Sequence, residues 1–253
     1  MPPTLAQVEA ALHRRWIAAE GTALRKEDAR KAREVHALLG EIARCGGRDP
    51  WLVDAAAGRA YVGLLAVELL GFRRVVVIEH QERHAHTGRA LAAAFPDAEV
   101  SIHAAEVGDA TVWPERPDIA VGLHACGPAT DAIIERATAA AARWILLVPC
   151  CYGAQVPFWA RARAIAQALG VPPQAEPLGR LLRGLVDAER TLRLEAAGYE
   201  VTVVPLVPPT VTPHNLCWRC RRALDPRRAA DAARRLAALT EGPLGGSGWW
   251  SAP

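Results

Sequence analysis

Lysine is nearly missing from this sequence. Lys26 and Lys31 are the only two, so arginine carries almost all of its positive charge. With abundant alanine beside it, that arginine reads as a compositional habit, and clusters of it are weak evidence for a polyanion partner. The net charge is only +3. No stretch of 18 apolar residues free of charge occurs, so no membrane span and no membrane partner are expected. Residues 1–16 contain Glu9, Arg14 and Arg15 and lack the apolar stretch of a secretory signal. A cytoplasmic chain is the expectation, and its six cysteines then read as reduced thiols instead of a disulfide framework. Internal repeats are absent, and so is the dinucleotide fingerprint G-x-G-x-x-G.

What is present is enough apolar residue (51% of 253) for a sizeable core. The organising stretch is Trp51–Gly63. An apolar run ends in an acid, Leu52-Val53-Asp54, and a loop of small residues follows over 55–60. Val62, Leu65, Ala66, Leu69 and Leu70 then repeat with helical spacing. Strand, small-residue loop and helix are the first half of a βαβ unit that holds a nucleotide-like ligand, because small residues allow close backbone approach and the helix start offers unpaired N–H groups.

The chain before it reads as two helices, 4–19 and 26–44, separated at Gly21-Thr22. The inner face of the second is Val35, Leu38, Leu39 and Ile42, and Arg30, Lys31, Arg33 and Glu34 fall outside that stripe. These helices are expected to cover the start of the sheet. After the loop, Val75–Ile78 is a buried parallel strand by its β-branched run. Glu79 at its end is placed to accept hydrogen bonds from ribose hydroxyls. A helix over 82–95 carries His84 and His86, which face different ways and make no metal pair. The third strand, 99–103, is followed by Glu106 and Asp109, either of which suits an adenine amino group. The fourth strand, 118–123, runs into His124-Ala125-Cys126-Gly127 and a helix opened by Pro128. The fifth, 144–148, ends in Pro149-Cys150-Cys151-Tyr152. Residues 155–198 read as helical with breaks near 170–173 and 177–179. Strands over 200–207 and 215–221 and a helix over 225–239 complete the pattern.

The expected fold is one α/β, Rossmann-like seven-stranded sheet with helices on both faces. Residues 1–45 form its helical cover, 46–241 the ligand-binding domain and 242–253, with Trp249-Trp250, a loosely held tail. In such a sheet the ligand lies beyond the C-terminal strand ends, where Asp54, Glu79, His124 and Cys150-Cys151-Tyr152 all fall.

Asp54, Ala56, Gly58 and Ala60 fit the D-x-G-x-G-x-G loop of S-adenosylmethionine (SAM) methyltransferases, with alanine in two glycine slots. Leu123–Asp131, LHACGPATD, and Pro149–Tyr152, PCCY, resemble the H-x-C-G-x-x-T-D and C-C-H/Y motifs of a subgroup of class I SAM-dependent methyltransferases. That subgroup includes a tRNA acceptor-stem 2′-O-methyltransferase and orphan methyltransferase-like proteins. Thr212-Pro213-His214-Asn215 and Lys31-Ala32-Arg33-Glu34-Val35 are looser matches to the same group, and the likeness spans residues 26–222. Tyr152 stands where the tRNA enzyme has histidine. The resemblance implies SAM as cofactor, held by Asp54, Ala56, Gly58, Glu79, Glu106 or Asp109, and Leu123. It implies Cys150, Cys151 and Tyr152 on the acceptor side, with Cys126 and Asn215 as substrate contacts.

Methyl transfer to oxygen or nitrogen gains from proton removal. His124 is the first candidate base, since imidazole changes charge near neutrality; a purely hydrogen-bonding His124 is the alternative. Cys126 reads as a small buried thiol packing the site. Of Cys150 and Cys151, only one is expected to face it, because neighbours in an extended chain point apart. Asp131 and Thr130 read as first-turn capping groups. Cys217-x-x-Cys220 lies in a strand and lacks a second ligand pair, so no metal is expected, although Cys217 could approach Cys150 or Cys151. Arg219, Arg221, Arg222, Arg227, Arg228, Arg234 and Arg235 form a basic C-terminal region open to RNA phosphates or to solvent. The expected activity is methyl transfer to a macromolecule, RNA favoured over protein by the resemblance. The alternatives are a small-metabolite methyltransferase and a non-catalytic binding protein, the latter motivated by Ala56 and Ala60. Nothing in the sequence selects an oligomeric state.

Overall fold

A computed structural model describes residues 2–18, 25–174, 176–213 and 215–242. Its helices are α1 (Leu5–Leu12), α2 (Lys26–Cys45), α3 (Tyr61–Leu70), α4 (Glu82–Ala92), α5 (Pro128–Ala139), α6 (Trp159–Ala168), α7 (Glu176–Ala196) and α8 (Pro226–Glu241). Its strands are β1 (Trp51–Ala55), β2 (Arg74–Glu79), β3 (Glu99–Ala104), β4 (Ile119–Leu123), β5 (Trp144–Val148), β6 (Tyr199–Pro205) and β7 (Leu216–Arg222). The expected turn at Gly21-Thr22, His214 and the tail with Trp249-Trp250 lie outside the described residues.

The strands form one seven-stranded sheet in the order β3-β2-β1-β4-β5-β7-β6. Strands β1 to β5 pair in parallel and β7 runs antiparallel to β5. Helices cover both faces, as the sequence pattern predicts. The order reverses between β1 and β4, which makes their C-terminal ends the switch point of the sheet.

By compactness the described residues divide into two units, one spanning Met1–Cys151 and Thr202–Arg222, the other Tyr152–Val201 and Ala223–Pro253. In the first, α1 starts from a Thr4 cap whose hydroxyl accepts the Gln7 N–H while the Gln7 side chain returns a bond to the Thr4 N–H. A π-helical turn over His13–Ile17 extends α1 and buries Trp16. Val35, Leu38, Leu39 and Ile42 of α2 are fully buried, and they share a single core with Val8, Leu12, Leu52, Leu65, Val75 and Val121. The N-terminal helices therefore pack into the core of the sheet. Helix α3 is apolar nearly all round and buried on most of its surface, as the central crossover of a doubly wound sheet requires.

The second unit has its own small core around Phe158, Ile165, Val186 and Leu239. The break read near Pro177–Gly179 does not exist, since both residues lie inside α7. Pro177 is its second residue, where the missing N–H has no helical partner to lose. Asp225 caps α8 by accepting the Arg227 and Arg228 N–H groups. The basic C-terminal region is largely engaged with acids. Arg219 pairs with Glu41, Arg228 with Glu195, and Arg234 and Arg235 both with Asp231.

Gly63 in α3 faces Asp54 and β2. A Cβ there would lie 3.1 Å from Val77 Cγ2, 3.2 Å from Asp54 Oδ2 and 3.2 Å from Val75 Cγ1. Gly63→Ala should lower stability by about 1–3 kcal/mol, as overpacked cores do, read by urea unfolding. An unchanged unfolding midpoint would show that helix and strand are not locked at this contact.

Candidate functional site

Parallel pairing of Leu52–Asp54 with Ile119–Val121 brings the loops after β1 and β4 side by side. Between them lies a pocket lined by Asp54, Ala56, Ala57, Gly58, Leu123 and His124, with Lys31 of α2 and Tyr61 of α3. Four of the seven residues assigned to the cofactor from sequence (Asp54, Ala56, Gly58 and Leu123) thus meet in one place. Ala56, Gly58 and Ala60 have φ of 53°, 56° and 60°, all left-handed. That conformation is why glycine suits these slots. Each alanine bears a strain of about 1–2 kcal/mol, and its methyl group narrows the loop.

Asp54 is buried at 1% exposure and accepts the Gly63 N–H at 2.7 Å. Burial pushes its carboxyl up to about 7, the Gly63 bond opposes this, and the Glu79 charge adds to it. Glu79, at 3% exposure, accepts the Gly58 N–H and the Gln81 N–H, each at 2.8 Å. One bond goes to each oxygen, so lone pairs remain for a hydroxyl donor. His80 Nδ1 lies 3.2 Å from the same carboxylate.

Asp109 and Glu106 are both exposed and neither lines the pocket. Asp109 accepts the backbone N–H and the hydroxyl of Thr111, which hold its carboxyl below the usual range. Asn215 spends its amide on the Val207 carbonyl at 2.7 Å and so ties the β6–β7 loop together. Tyr152 belongs to the second unit. There its hydroxyl donates to Asp187 at 2.7 Å and its ring lies under Arg190, with burial holding the phenol above its ordinary value.

His124 follows β4 with φ of 59°, a left-handed geometry that histidine adopts at a cost, and its N–H donates to the Val148 carbonyl at 2.9 Å. Its Nε2 lies 3.0 Å from Glu34 Oε2, and Lys31 Nζ is 3.3 Å from the same oxygen. Glu34 was read from the helical pattern as lying outside the buried stripe. In fact it is 1% exposed. Burial would raise its carboxyl, yet His124 and Lys31 outweigh that and hold it below the usual range. Its second oxygen, Oε1, is buried without a hydrogen-bond partner among the described residues. The overlooked signal was the pair Lys31 and Glu34, i and i+3 on one helix face.

The thiols also differ from expectation. Cys126 is exposed, not buried. Both Cys150 and Cys151 turn towards it, with Sγ separations of 3.0 Å for Cys126–Cys150, 3.1 Å for Cys126–Cys151 and 3.4 Å for Cys150–Cys151. Past the end of β5 the chain is no longer extended, so neighbouring side chains need not diverge. The hydrogen bond with Cys150 holds the Cys126 thiol down to about 5, and contact with Cys126 raises Cys150 and Cys151. Cys217 does not join them. It is fully buried in the core, where burial pushes its thiol up to about 12. Thr130 donates to the Ala125 carbonyl at 2.6 Å and so fixes the turn that carries Cys126.

Residues 30–155 match a family model described as a methyltransferase domain. The chain is 24% identical over 227 residues to a glutathione S-transferase C-terminal domain-containing protein of Xenopus laevis, covering 78% of this chain and 35% of that protein. The human counterpart is 26% identical over 216 residues, covering 74% and 32%. The chain thus spans about a third of the length of these relatives. Among solved structures, a magnesium protoporphyrin IX methyltransferase from Synechocystis with bound SAH is similar at a TM-score of 0.48 and 11% identity, over 86% of this chain and 97% of that one. The matched segment contains the switch-point loop, Glu34, His124 and the three converging thiols. That segment is therefore similar to a methyltransferase domain.

Asp54 gives the site a pH signature. Its folded-state pKa lies above the usual carboxylate value, so the folded chain holds a proton that the unfolded chain releases. Stability therefore falls as pH rises from about 4 to 7, by at most about 4 kcal/mol. Asp54→Asn keeps an acceptor for Gly63 and should flatten that slope in urea unfolding across the range. Equal slopes in the two proteins would contradict the assignment.

Proposed function

We propose that residues 30–155 are a SAM-dependent methyltransferase domain and that this chain methylates an RNA acceptor, with His124 as the proton-accepting group. When bound, SAM supplies an electrophilic methyl group on a sulfonium. The residues present suit it. Asp54, the backbone around Ala56 and Gly58, and Leu123 line the pocket, and Glu79 retains lone pairs for ribose hydroxyls. Glu34 adds a buried carboxylate oxygen without a partner, a fitting neighbour for a cationic ligand.

Glu34 accepts from His124 Nε2, which fixes the neutral tautomer with Nδ1 as proton acceptor. Glu34 is then a positioning residue, and Lys31 holds it in turn. Alignment of donor and acceptor and exclusion of water remain the main task of the pocket walls.

The RNA reading rests on one observation. Lys26, Arg30 and Arg33, all exposed and spaced i, i+4 and i+7, line a cleft with Thr210 and Val211. They lie on the same helix whose Glu34, paired with Lys31, contacts His124. A phosphate backbone laid along that face would run past the turn that carries Glu34.

Three experiments test this reading. Labelled-methyl transfer from SAM should mark an RNA fraction and leave protein and metabolite fractions blank. Label only in metabolites, or none at all, would overturn it in favour of a small-molecule or a non-catalytic function respectively. His124→Ala should lower turnover by at least about 100-fold while SAM affinity holds, and Glu34→Gln should lower it less. Replacing Lys26, Arg30 and Arg33 together by glutamine should weaken RNA binding and reduce the salt dependence, log Kd against log salt, by about 2. An unchanged salt slope would place the RNA elsewhere or remove it.

A further inference from the structure

The convergence of Cys126, Cys150 and Cys151 has a cause in the fold. Strands β4 and β5 pair in parallel with Leu123 opposite Val148. Cys126 and Cys151 are each three residues beyond that pair, so both loops leave the sheet together and bring their thiols to one point. Thr130 and the Gly127-Pro128 start of α5 hold the Cys126 loop, and the N-terminal end of that helix favours a thiolate beside it. The three Sγ atoms form a triangle with edges of 3.0, 3.1 and 3.4 Å. Among the described residues, no fourth histidine, cysteine or acid joins the group.

Three sulfurs meeting at one point exceed what a disulfide needs, since a disulfide engages two and strands the third. They are instead the donor set of a tripod. Soft thiolates favour zinc and monovalent copper over hard cations. Zinc takes sulfur at about 2.3 Å in a tetrahedron, which puts sulfurs about 3.8 Å apart. Each edge of the triangle then opens by roughly 0.4–0.8 Å, within reach of side-chain rotation at exposed Cys126.

We propose that Cys126, Cys150 and Cys151 bind one zinc ion through three thiolates, with the fourth position open to water or an external ligand. This reverses the expectation from sequence that the chain holds no metal. It stands on the thiol geometry alone and does not rest on the RNA reading. Three protein ligands and an exchangeable fourth make an ion able to take on another donor, unlike a closed four-ligand structural site. Binding releases thiol protons, so it weakens on acidification.

The test uses the full chain, reduced and freed of metal, then loaded with Zn2+ and desalted. One zinc per chain is expected by elemental analysis, and Co2+ in its place should give the near-ultraviolet charge-transfer absorption of cobalt thiolates. Zinc should also protect three thiols from a disulfide reagent. Cys126→Ser, Cys150→Ser and Cys151→Ser should each weaken zinc binding at least about tenfold in chelator competition, with circular dichroism confirming a folded chain. Cys45→Ala, outside the cluster, should leave the stoichiometry at one. A reduced wild-type chain that retains no zinc overturns the proposal, and so does zinc held equally by the three serine variants. Intact binding with no methyl transfer would leave this site standing and remove only the function proposed above.

Discussion

The parallel pairing of β1 with β4 is the constraint on which the rest depends. Residues Leu52–Asp54 lie against Ile119–Val121, and at that seam the strand order turns outward in both directions. A crossover helix must leave each strand end on its own side, so nothing fills the space between the two loops. Asp54, Gly58, Leu123 and His124 enter that space because their strands end there. The next pairing outward, β4 with β5, repeats the effect and sets the thiols of the two following loops together.

Strain and burial gather at the same seam. Ala56, Ala60 and His124 are non-glycine residues in left-handed backbone, and Asp54 and Glu34 are carboxylates taken almost entirely out of water. Each is costly alone. They persist because neighbours compensate: Gly63 bonds Asp54, and His124 with Lys31 bonds Glu34. Helix α2 thereby becomes part of the site. One face packs into the common core, and the adjoining edge carries Lys31 and Glu34 to the end of β4.

The fold was legible in the sequence where period and punctuation agreed. The β-branched run before Glu79, the glycine after Leu70 and the proline opening α5 all mark real boundaries. The left-handed loop after β1 was legible because small residues followed an acid at a strand end. Glu34 was missed because charge on a helix is ordinarily assigned to solvent, and its burial depends on His124, which is distant in sequence and placed by the sheet. The joint approach of Cys150 and Cys151 to Cys126 was missed because strand alternation was extended past the end of β5, into a turn where it does not hold. Pro177 and Gly179 looked like a break, yet proline in a first helical turn loses no hydrogen bond. The grouping of α6, α7 and α8 around a small core of their own depends on packing that no local signal encodes.

Methyl transfer at this site requires that the loop between β1 and α3 admit SAM despite its two alanines. Calorimetric titration of the purified chain with SAM and with its demethylated product tests this most directly. Saturable one-to-one binding of both, in the micromolar range, is the predicted result. A chain that is folded yet binds neither ligand would contradict the account, and the seam between β1 and β4 would then be a pocket without its cofactor.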